Sequence, residues 1–266
     1  MPDKEYPHPE PPGPKPAPVN LKIEAVITCA HYGDFLAWTL PANKHLFNRI
    51  VVVTRPDDKL TQQVCAYYHV ECYPTYDFYH NGNVFNKGKG INYGLAKLAK
   101  DGWVVHLDAD TYLPPRTRSI LERISLNPEF LYGIDRMDCK SFTDWIKFLS
   151  APPLQHEWEI FVHMRPFPFG ARIAKLDRDG YVPIGFFQLW NPKGSGVYTY
   201  PEGRTNAAGT DMLFALQWPR GRRQFLPEII ATHLESEPLP LGSNWDGRMS
   251  RPFGLEGRPA GSPSSQ

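Results

Sequence analysis

Short runs of aliphatic and β-branched residues, each separated from the next by a stretch of helical periodicity, run from Leu21 to Asp110 and restrict what the chain can fold into. KIEAVITC, RIVVVT, VECY and GWVVHLDAD read as strands, and YGDFLAWTLPANKHLF, DDKLTQQVCAYYHV and GINYGLAKLAK as helices. The first helix is interrupted by Pro41, and Asp57 and Asp58 suit the start of the second. RIVVVT lacks polar alternation, so both of its faces need covering, which is the condition of a strand in a parallel sheet with helices on either side. An α/β nucleotide-binding layout follows, with ligands expected at the carboxyl ends of the strands.

Further along, PPRTRSILERI reads as a helix, FLYGID and VPIGFFQLW as strands, TDMLFALQW as a helix and EIIATHL as a late strand. The second half is richer in Pro, Gly and aromatic residues and is expected to wrap an acceptor-binding region around the sheet. Residues 1–20 read as a flexible, proline-rich leader without the apolar stretch of a signal peptide. From about Leu234 an irregular tail is expected, disordered over its last eight or so residues.

Composition narrows the function classes. A hydrophobic fraction of 41% with seven Trp argues for a folded globular chain, and its 266 residues can bury a substantial core. The net charge of +1 does not favour non-specific attraction to nucleic acid or to an anionic membrane. Cys29, Cys65, Cys72 and Cys139 show no CxxC pairing, so a reduced, cytoplasmic or other intracellular setting is expected. No run approaches the length of a membrane span, and membrane insertion is not expected. ITCAHYGDF stands where a dinucleotide-binding protein carries GxGxxG, which disfavours a Rossmann oxidoreductase. The same loop lacks the basic, glycine-rich character of a sugar-1-phosphate nucleotidyltransferase.

Asp108 and Asp110 are the sharpest chemical signal. On extended backbone an i, i+2 spacing directs both carboxylates to one side, and two adjacent carboxylates invite a hard divalent cation such as Mn2+ or Mg2+. A solvated turn is the plainer alternative. His233 follows the apolar run PEIIAT and can complete a mixed carboxylate and imidazole site, or it is a core histidine. His106 lies inside the strand and reads as structural, while His31 follows the first strand. Asp211 in AAGTDMLFAL sits in the first turn of a helix, where it either favours the helix N-terminus or acts as general base on an acceptor hydroxyl. In NKGKGINYG, Lys87 and Lys89 stand among glycines before a helix, on a pliable loop that can meet a diphosphate or simply face water. GSNWDGR supplies Trp245 to cover a sugar or base face and Arg248 to pair with phosphate. WPRGRRQ, with Arg220, Arg222 and Arg223, is a basic cluster for a phosphate backbone or a solvated turn.

Together these segments resemble a GT-A glycosyltransferase over roughly Leu21 to Arg248: the first loop with Tyr32 and Asp34, the VVVT strand and acidic turn, the NKGKGINYG helix start, LDAD, IGFFQLW, GTDMLF and THL. The resemblance implies an α/β fold of GT-A type, a single Rossmann-like central mixed sheet flanked by helices with an acceptor-side region in the second half. It divides the chain into a leader of residues 1–20, a transferase domain of 21–248 and a tail of 249–266. It implies a nucleoside-diphosphate sugar, foremost a UDP-sugar, as donor. Thr28, Tyr32 and the turn from Thr54 to Asp57 would line the nucleoside pocket, Asp34 would lie beside them, and Asp108 would face ribose or metal. Asp110 and His233 would bind the metal, the strand from Gly185 to Trp190 would form the acceptor side of the sugar pocket, and Asp211 would be the base of an inverting transfer. Thr210 replaces the acidic neighbour that inverting members often carry, so a retaining outcome stays open. The acceptor is a glycan, a small molecule or a hydroxymethylated DNA base, and a non-catalytic nucleotide- or carbohydrate-binding protein is the alternative class.

Overall fold

The computed structural model describes residues 21–150, 171–173, 180–237 and 244–254. The proline-rich leader and the last residues of the chain lie outside them. In chain order the elements are β1 (Ile23–Thr28), α1 (Gly33–Asn43), β2 (Arg49–Thr54), α2 (Lys59–Tyr67), β3 (Glu71–Pro74), α3 (Lys87–Leu95), β4 (Trp103–Asp108) and β5 (Thr111–Tyr112). They continue as α4 (Thr117–Arg123), β6 (Leu131–Cys139), α5 (Phe142–Ser150), β7 (Ala171–Ile173), β8 (Tyr181–Pro183), β9 (Phe187–Trp190), α6 (Pro192–Ser195), α7 (Thr210–Ala215) and β10 (Arg223–Leu234).

Eight strands form one mixed sheet in the order β3-β2-β1-β4-β9-β6-β10-β5. β3, β2, β1 and β4 are parallel, β9 runs antiparallel between β4 and β6, β10 is parallel to β6, and β5 closes the edge antiparallel to β10. This is the α/β, mixed-sheet, helix-flanked layout that the GT-A resemblance implies. The first half behaves as its apolar runs require. In β2, Val52 packs with α1 and α2 through Leu36, Leu40 and Cys65, while Val51 and Val53 pack on the opposite face with Ile91 and Leu95 of α3. β1 and β4 divide in the same way, Ala25, Ile27, Val105 and Leu107 on one face and Val26 and Val104 on the other. Period-two side chains with helices on both faces bury nearly every position of these runs, including His106 and Glu24, whose carboxylate accepts from the Ala99 and Lys100 amides. Each fully buried valine contributes roughly 1.5–3 kcal/mol.

α3 lies very close to the sheet. A Cβ on Gly94 would stand 2.4 Å from Val26 Cγ2, and one on Gly90 would stand 1.9 Å from the Phe78 ring. The glycines of NKGKGINYG are therefore packing residues inside a helix, and the pliable loop expected for Lys87 and Lys89 is not what forms. Asn86 caps that helix by accepting from the Lys89 amide at 3.0 Å, so both lysines belong to its first turn.

Three strands differ from their expected bounds. VPIGFFQLW breaks into β8, which pairs with β7 in a separate two-stranded sheet, and β9, which joins the main sheet. FLYGID extends to Cys139, and EIIATHL begins earlier, at Arg223, with a register shift between Leu226 and Ile230. No helix or strand follows Leu234 among the described residues. Residues 244–254 nevertheless pack against α1: Phe253 is buried and stacks on Phe35 at 4.7 Å between centroids.

Candidate active site

The parallel strands β1, β2 and β4 end at Thr28, Thr54 and Asp108. The turn that follows β4 is anchored from beneath by α1. Thr39 Oγ1 donates to the Ala109 carbonyl at 2.6 Å, Asn43 Nδ2 donates to the Thr111 carbonyl at 2.7 Å, and Asn43 Oδ1 accepts from the Leu113 amide at 3.0 Å. Both side chains are buried, one helical turn apart on the same face of α1. Extended backbone stops at Asp108, and Ala109 and Asp110 form a turn, so the regular i, i+2 spacing of a strand does not extend to Asp110.

Each aspartate instead has its own cation. Asp108 Oδ1 lies 2.6 Å from Lys87 Nζ, and Asp110 Oδ2 lies 3.5 Å from His233 Nε2. Burial raises the Asp108 pKa above the ordinary carboxylate value, assisted by the charge of Asp110 and opposed by Lys87. Burial works the same way on Asp110, but His233 outweighs it and holds that carboxyl below the ordinary value. At Lys87 burial disfavours the charge, and Asp108, Asp211 and Asp110 together outweigh it and raise the pKa. At half-buried His233, desolvation and Arg136 oppose protonation, yet Asp110 and Glu235 raise its pKa to about 9. Its Nδ1 lies 3.4 Å from Glu235 Oε1 and 3.6 Å from Asp138 Oδ1.

This acid-rich cluster fits a divalent cation. Asp110 Oδ1 is buried without a hydrogen-bond partner among the described residues, which is costly for a carboxylate oxygen unless a cation meets it. Carboxylate oxygens with one imidazole nitrogen suit Mn2+ or Mg2+. His233, with its raised pKa, brings positive charge beside Asp110.

Asp211 opens α7, as expected, at the position after Thr210. Its Oδ2 accepts from the Gly185 amide at 2.8 Å, and a Cβ on Gly185 would stand 2.8 Å from Asp211 Cβ. This close approach explains why VPIGFFQLW cannot run as one strand: Gly185 belongs to the turn that brings the backbone onto Asp211. Gln188 Nε2 holds the same residue from behind, donating to the Asp211 carbonyl at 3.0 Å, and Tyr200 OH donates to Gln188 Oε1. Oδ1 of Asp211 makes no hydrogen bond among the described residues. His106, buried beside Tyr200, is kept neutral by burial, with its pKa far below the usual value.

The remaining candidates divide by what they touch. Thr54 Oγ1 donates to Asp58 Oδ2 at 2.9 Å, and the His31 amide donates to the same oxygen at 2.6 Å. Asp58, 3% exposed, thus ties the first two strand ends together and caps α2, whereas Asp57 pairs with Arg55 at the surface at 2.6 Å. Thr28 is buried at the end of β1 and Lys89 is half-buried in α3. Tyr32 is half-buried, and burial together with the charge of Asp110 raises its pKa. Arg248 forms a fork with Asp34, donating from Nη2 at 2.8 Å and from Nη1, and lies over the Tyr32 and Phe35 rings. It is therefore engaged by Asp34 rather than free for phosphate in this structure. Trp245 is exposed, and its carbonyl accepts from the Ala207 amide at 3.0 Å. The WPRGRRQ arginines do not share one exposed face: Arg223 is buried, and Arg222 pairs with Glu129 at 3.3 Å.

Four residues of this region escaped the sequence reading. Asp138 was hidden because β6 was expected to end at Asp135. Glu235 stands two residues after His233, the same spacing that singled out Asp108 and Asp110. Thr39 and Asn43 are polar residues at i, i+4 on an otherwise apolar face of α1, which is a readable signal of a buried anchor.

No protein-family model matches the chain, and no curated protein matches it. Among solved structures it is similar to mannosyl-3-phosphoglycerate synthase from Rubrobacter xylanophilus, with 19% identity and a TM-score of 0.35 over 44% of this chain and 41% of that one. It is also similar to glucosyl-3-phosphoglycerate synthase from Mycobacterium tuberculosis in complex with Mn2+ and UDP-glucose, with 12% identity and a TM-score of 0.47 over 83% of this chain and 73% of that one. The complex of that enzyme with Mn2+, UDP and glucosyl-3-phosphoglycerate gives 13% identity and a TM-score of 0.46 over 80% and 72%. The chain spans less than half the length of the first of these proteins. Likenesses this remote assign it no substrate.

Proposed function

We propose that this chain is a metal-dependent glycosyltransferase that moves a sugar from a nucleoside-diphosphate sugar, foremost a UDP-sugar, to an acceptor hydroxyl. The observation that carries the reading is the convergence of Asp108, Asp110, Lys87, His233 and Asp211, from β4 and the turn after it, α3, β10 and α7, at the carboxyl end of one sheet. Lys87 feels the charges of Asp108, Asp110 and Asp211 together, which supports a shared electrostatic neighbourhood for these four groups.

Asp110 Oδ1 and His233 Nε2 would hold a Mn2+ or Mg2+ ion, with Asp108 beside them. Such an ion would neutralise the diphosphate and stabilise the charge that develops as it leaves. Thr28, Tyr32, Thr54 and the Asp57 turn provide the walls expected to receive the nucleoside, with Asp34 and Arg248 bracing Tyr32. Lys87 and Lys89, in the first turn of α3, bring ammonium groups and helix amides toward the donor side. Trp245 offers an exposed indole to a sugar or base face.

In the transfer the acceptor oxygen attacks the anomeric carbon, the bond from that carbon to the diphosphate oxygen breaks, and the acceptor proton passes to Asp211 Oδ1. The hydrogen bond from Gly185 to Oδ2 and the Gln188 contact to the Asp211 carbonyl would hold this carboxylate in place, leaving the other oxygen to act as base. A partly desolvated cleft strengthens each of these charge interactions.

The test is turnover of a panel of nucleotide sugars by the purified protein with Mn2+, Mg2+ or EDTA, recording free nucleoside diphosphate, free sugar and transfer to glycan, small-molecule and hydroxymethylated DNA acceptors. Release that depends on the metal and falls on the order of 10²–10⁴-fold in Asp211→Asn supports the reading. The anomeric configuration of the product separates inverting from retaining transfer. Tight nucleotide binding with no release from any donor and acceptor pair would instead establish a non-catalytic binding protein.

A further inference from the structure

The buried surroundings of His233 differ on its two sides. Its Nε2 faces Asp110, whose Oδ1 is buried without a hydrogen bond, with Asp108 two residues away. Its Nδ1, which like Asp138 Oδ1 and Arg136 Nε is buried without a hydrogen bond among the described residues, faces Glu235 and Asp138 at 3.4 and 3.6 Å. Asp138, His233 and Glu235 have ligating atoms within 4.8 Å of one another, so on distance alone this second face is also a candidate cation seat.

Charge decides between them. Arg136 Nε lies 3.2 Å from Asp138 Oδ1, and its guanidinium is held over the Phe186 ring at 5.0 Å. The position a cation would take beside Asp138 thus already has a permanent positive charge, and a divalent ion there would face guanidinium repulsion in a buried setting. Among the described residues no lysine or arginine ion-pairs with Asp110, which Arg136 and Lys87 reach only at longer range. A histidine that binds a metal through one ring nitrogen ordinarily gives the N–H of the other to a carboxylate or carbonyl, which fixes the ring's tautomer and orientation. At 3.4 Å, Glu235 is a few tenths of an ångström from such a bond.

We propose that Glu235, with Asp138 braced by Arg136, is the positioning residue of the metal site: it holds the proton on His233 Nδ1 so that Nε2 faces the ion, and it is not itself a ligand. The inference rests on the metal role proposed above for Asp110 and His233.

The experiment uses the full chain loaded with Mn2+ alone, prepared in two batches carrying histidine labelled with nitrogen-15 either at Nε2 or at Nδ1, and examined by pulsed electron paramagnetic resonance. Strong direct hyperfine coupling from the Nε2-labelled batch alone supports the proposal. Strong coupling from the Nδ1-labelled batch overturns it, because the ion then sits with Asp138 and Glu235, while a metal-dependent enzyme remains. Mn2+ that binds with no coupling to either nitrogen, or no bound Mn2+ at all, overturns both this inference and the metal role of His233. A second arm measures Mn2+ affinity from the free-ion signal. Glu235→Leu is expected to weaken binding about 10–100-fold, whereas Glu235→Gln, which keeps an acceptor oxygen, restores most of it. Equal loss in the two variants marks Glu235 as a ligand and sinks the positioning role.

Discussion

Two acid and base pairs, each largely shielded from water, lie at the carboxyl end of the same sheet, and they are built to opposite ends. In the pair of Asp34 with Arg248, both carboxylate oxygens meet the guanidinium fork, and the Phe253 amide adds a further donor at 2.5 Å. The other guanidinium donors reach the carbonyls of His31, Ser250 and Arg251. Nothing is left over, and the pair welds residues 244–254 to the start of α1. In the pair of Asp110 with His233, one carboxylate oxygen is without a hydrogen bond and the imidazole stands at 3.5 Å from the other. Neutralised charge of the first kind holds a structure together. Incompletely satisfied charge of the second kind marks where a ligand is expected to complete it.

The largest effect that would break this contrast is on the satisfied side. Arg248→Met leaves Asp34 buried without its fork, and unfolding free energy should fall by about 3–5 kcal/mol. Denaturant titration measures it, and an unchanged midpoint would show that the pair is not structural. On the other side, Asp110→Asn loses the His233 interaction and should destabilise the metal-free protein less than Arg248→Met does, while metal-dependent transfer falls about 10²-fold or more. If Asp110→Asn unfolds the protein, the two pairs are the same kind of object and the contrast is lost.

A pH series sharpens it further. The His233 pKa is raised in the folded state, from an ordinary 6.5 to about 9, so its interactions with Asp110 and Glu235 stabilise the metal-free protein fully below pH 6.5 and are lost as pH rises through 9. Mn2+ competes with that proton. Its affinity should therefore rise by up to about tenfold per pH unit toward pH 9 and level off above it, with one proton released per ion. Affinity that is flat across this window would remove His233 from the ligand set. The smallest effect is expected at the exposed pair of Arg49 with Glu71, whose carboxyl the guanidinium holds down at about 2. Glu71→Gln should cost no more than about 1 kcal/mol by the same denaturant titration, despite good geometry, because water screens both partners.

The amino-acid sequence by itself determined the parallel half of the sheet. β2 had to be covered on both faces because its apolar run offers no polar side, and that requirement is local enough to read from residue type alone. It also marked Asp108, Asp110, His233 and Asp211 as groups to watch, since each stands at the end of a strand or the start of a helix. The sequence could not show that Asp108 takes Lys87 while Asp110 takes His233, because the break after Asp108 is imposed by Thr39 and Asn43 from a helix far earlier in the chain. Nor could it show that Gly185 closes on Asp211, that Asp58 rather than Asp57 ties the first two strand ends together, or that Arg248 belongs to Asp34. Those pairings join residues distant along the chain, and only the tertiary structure decides them, because a buried charge takes whichever partner packing brings within reach.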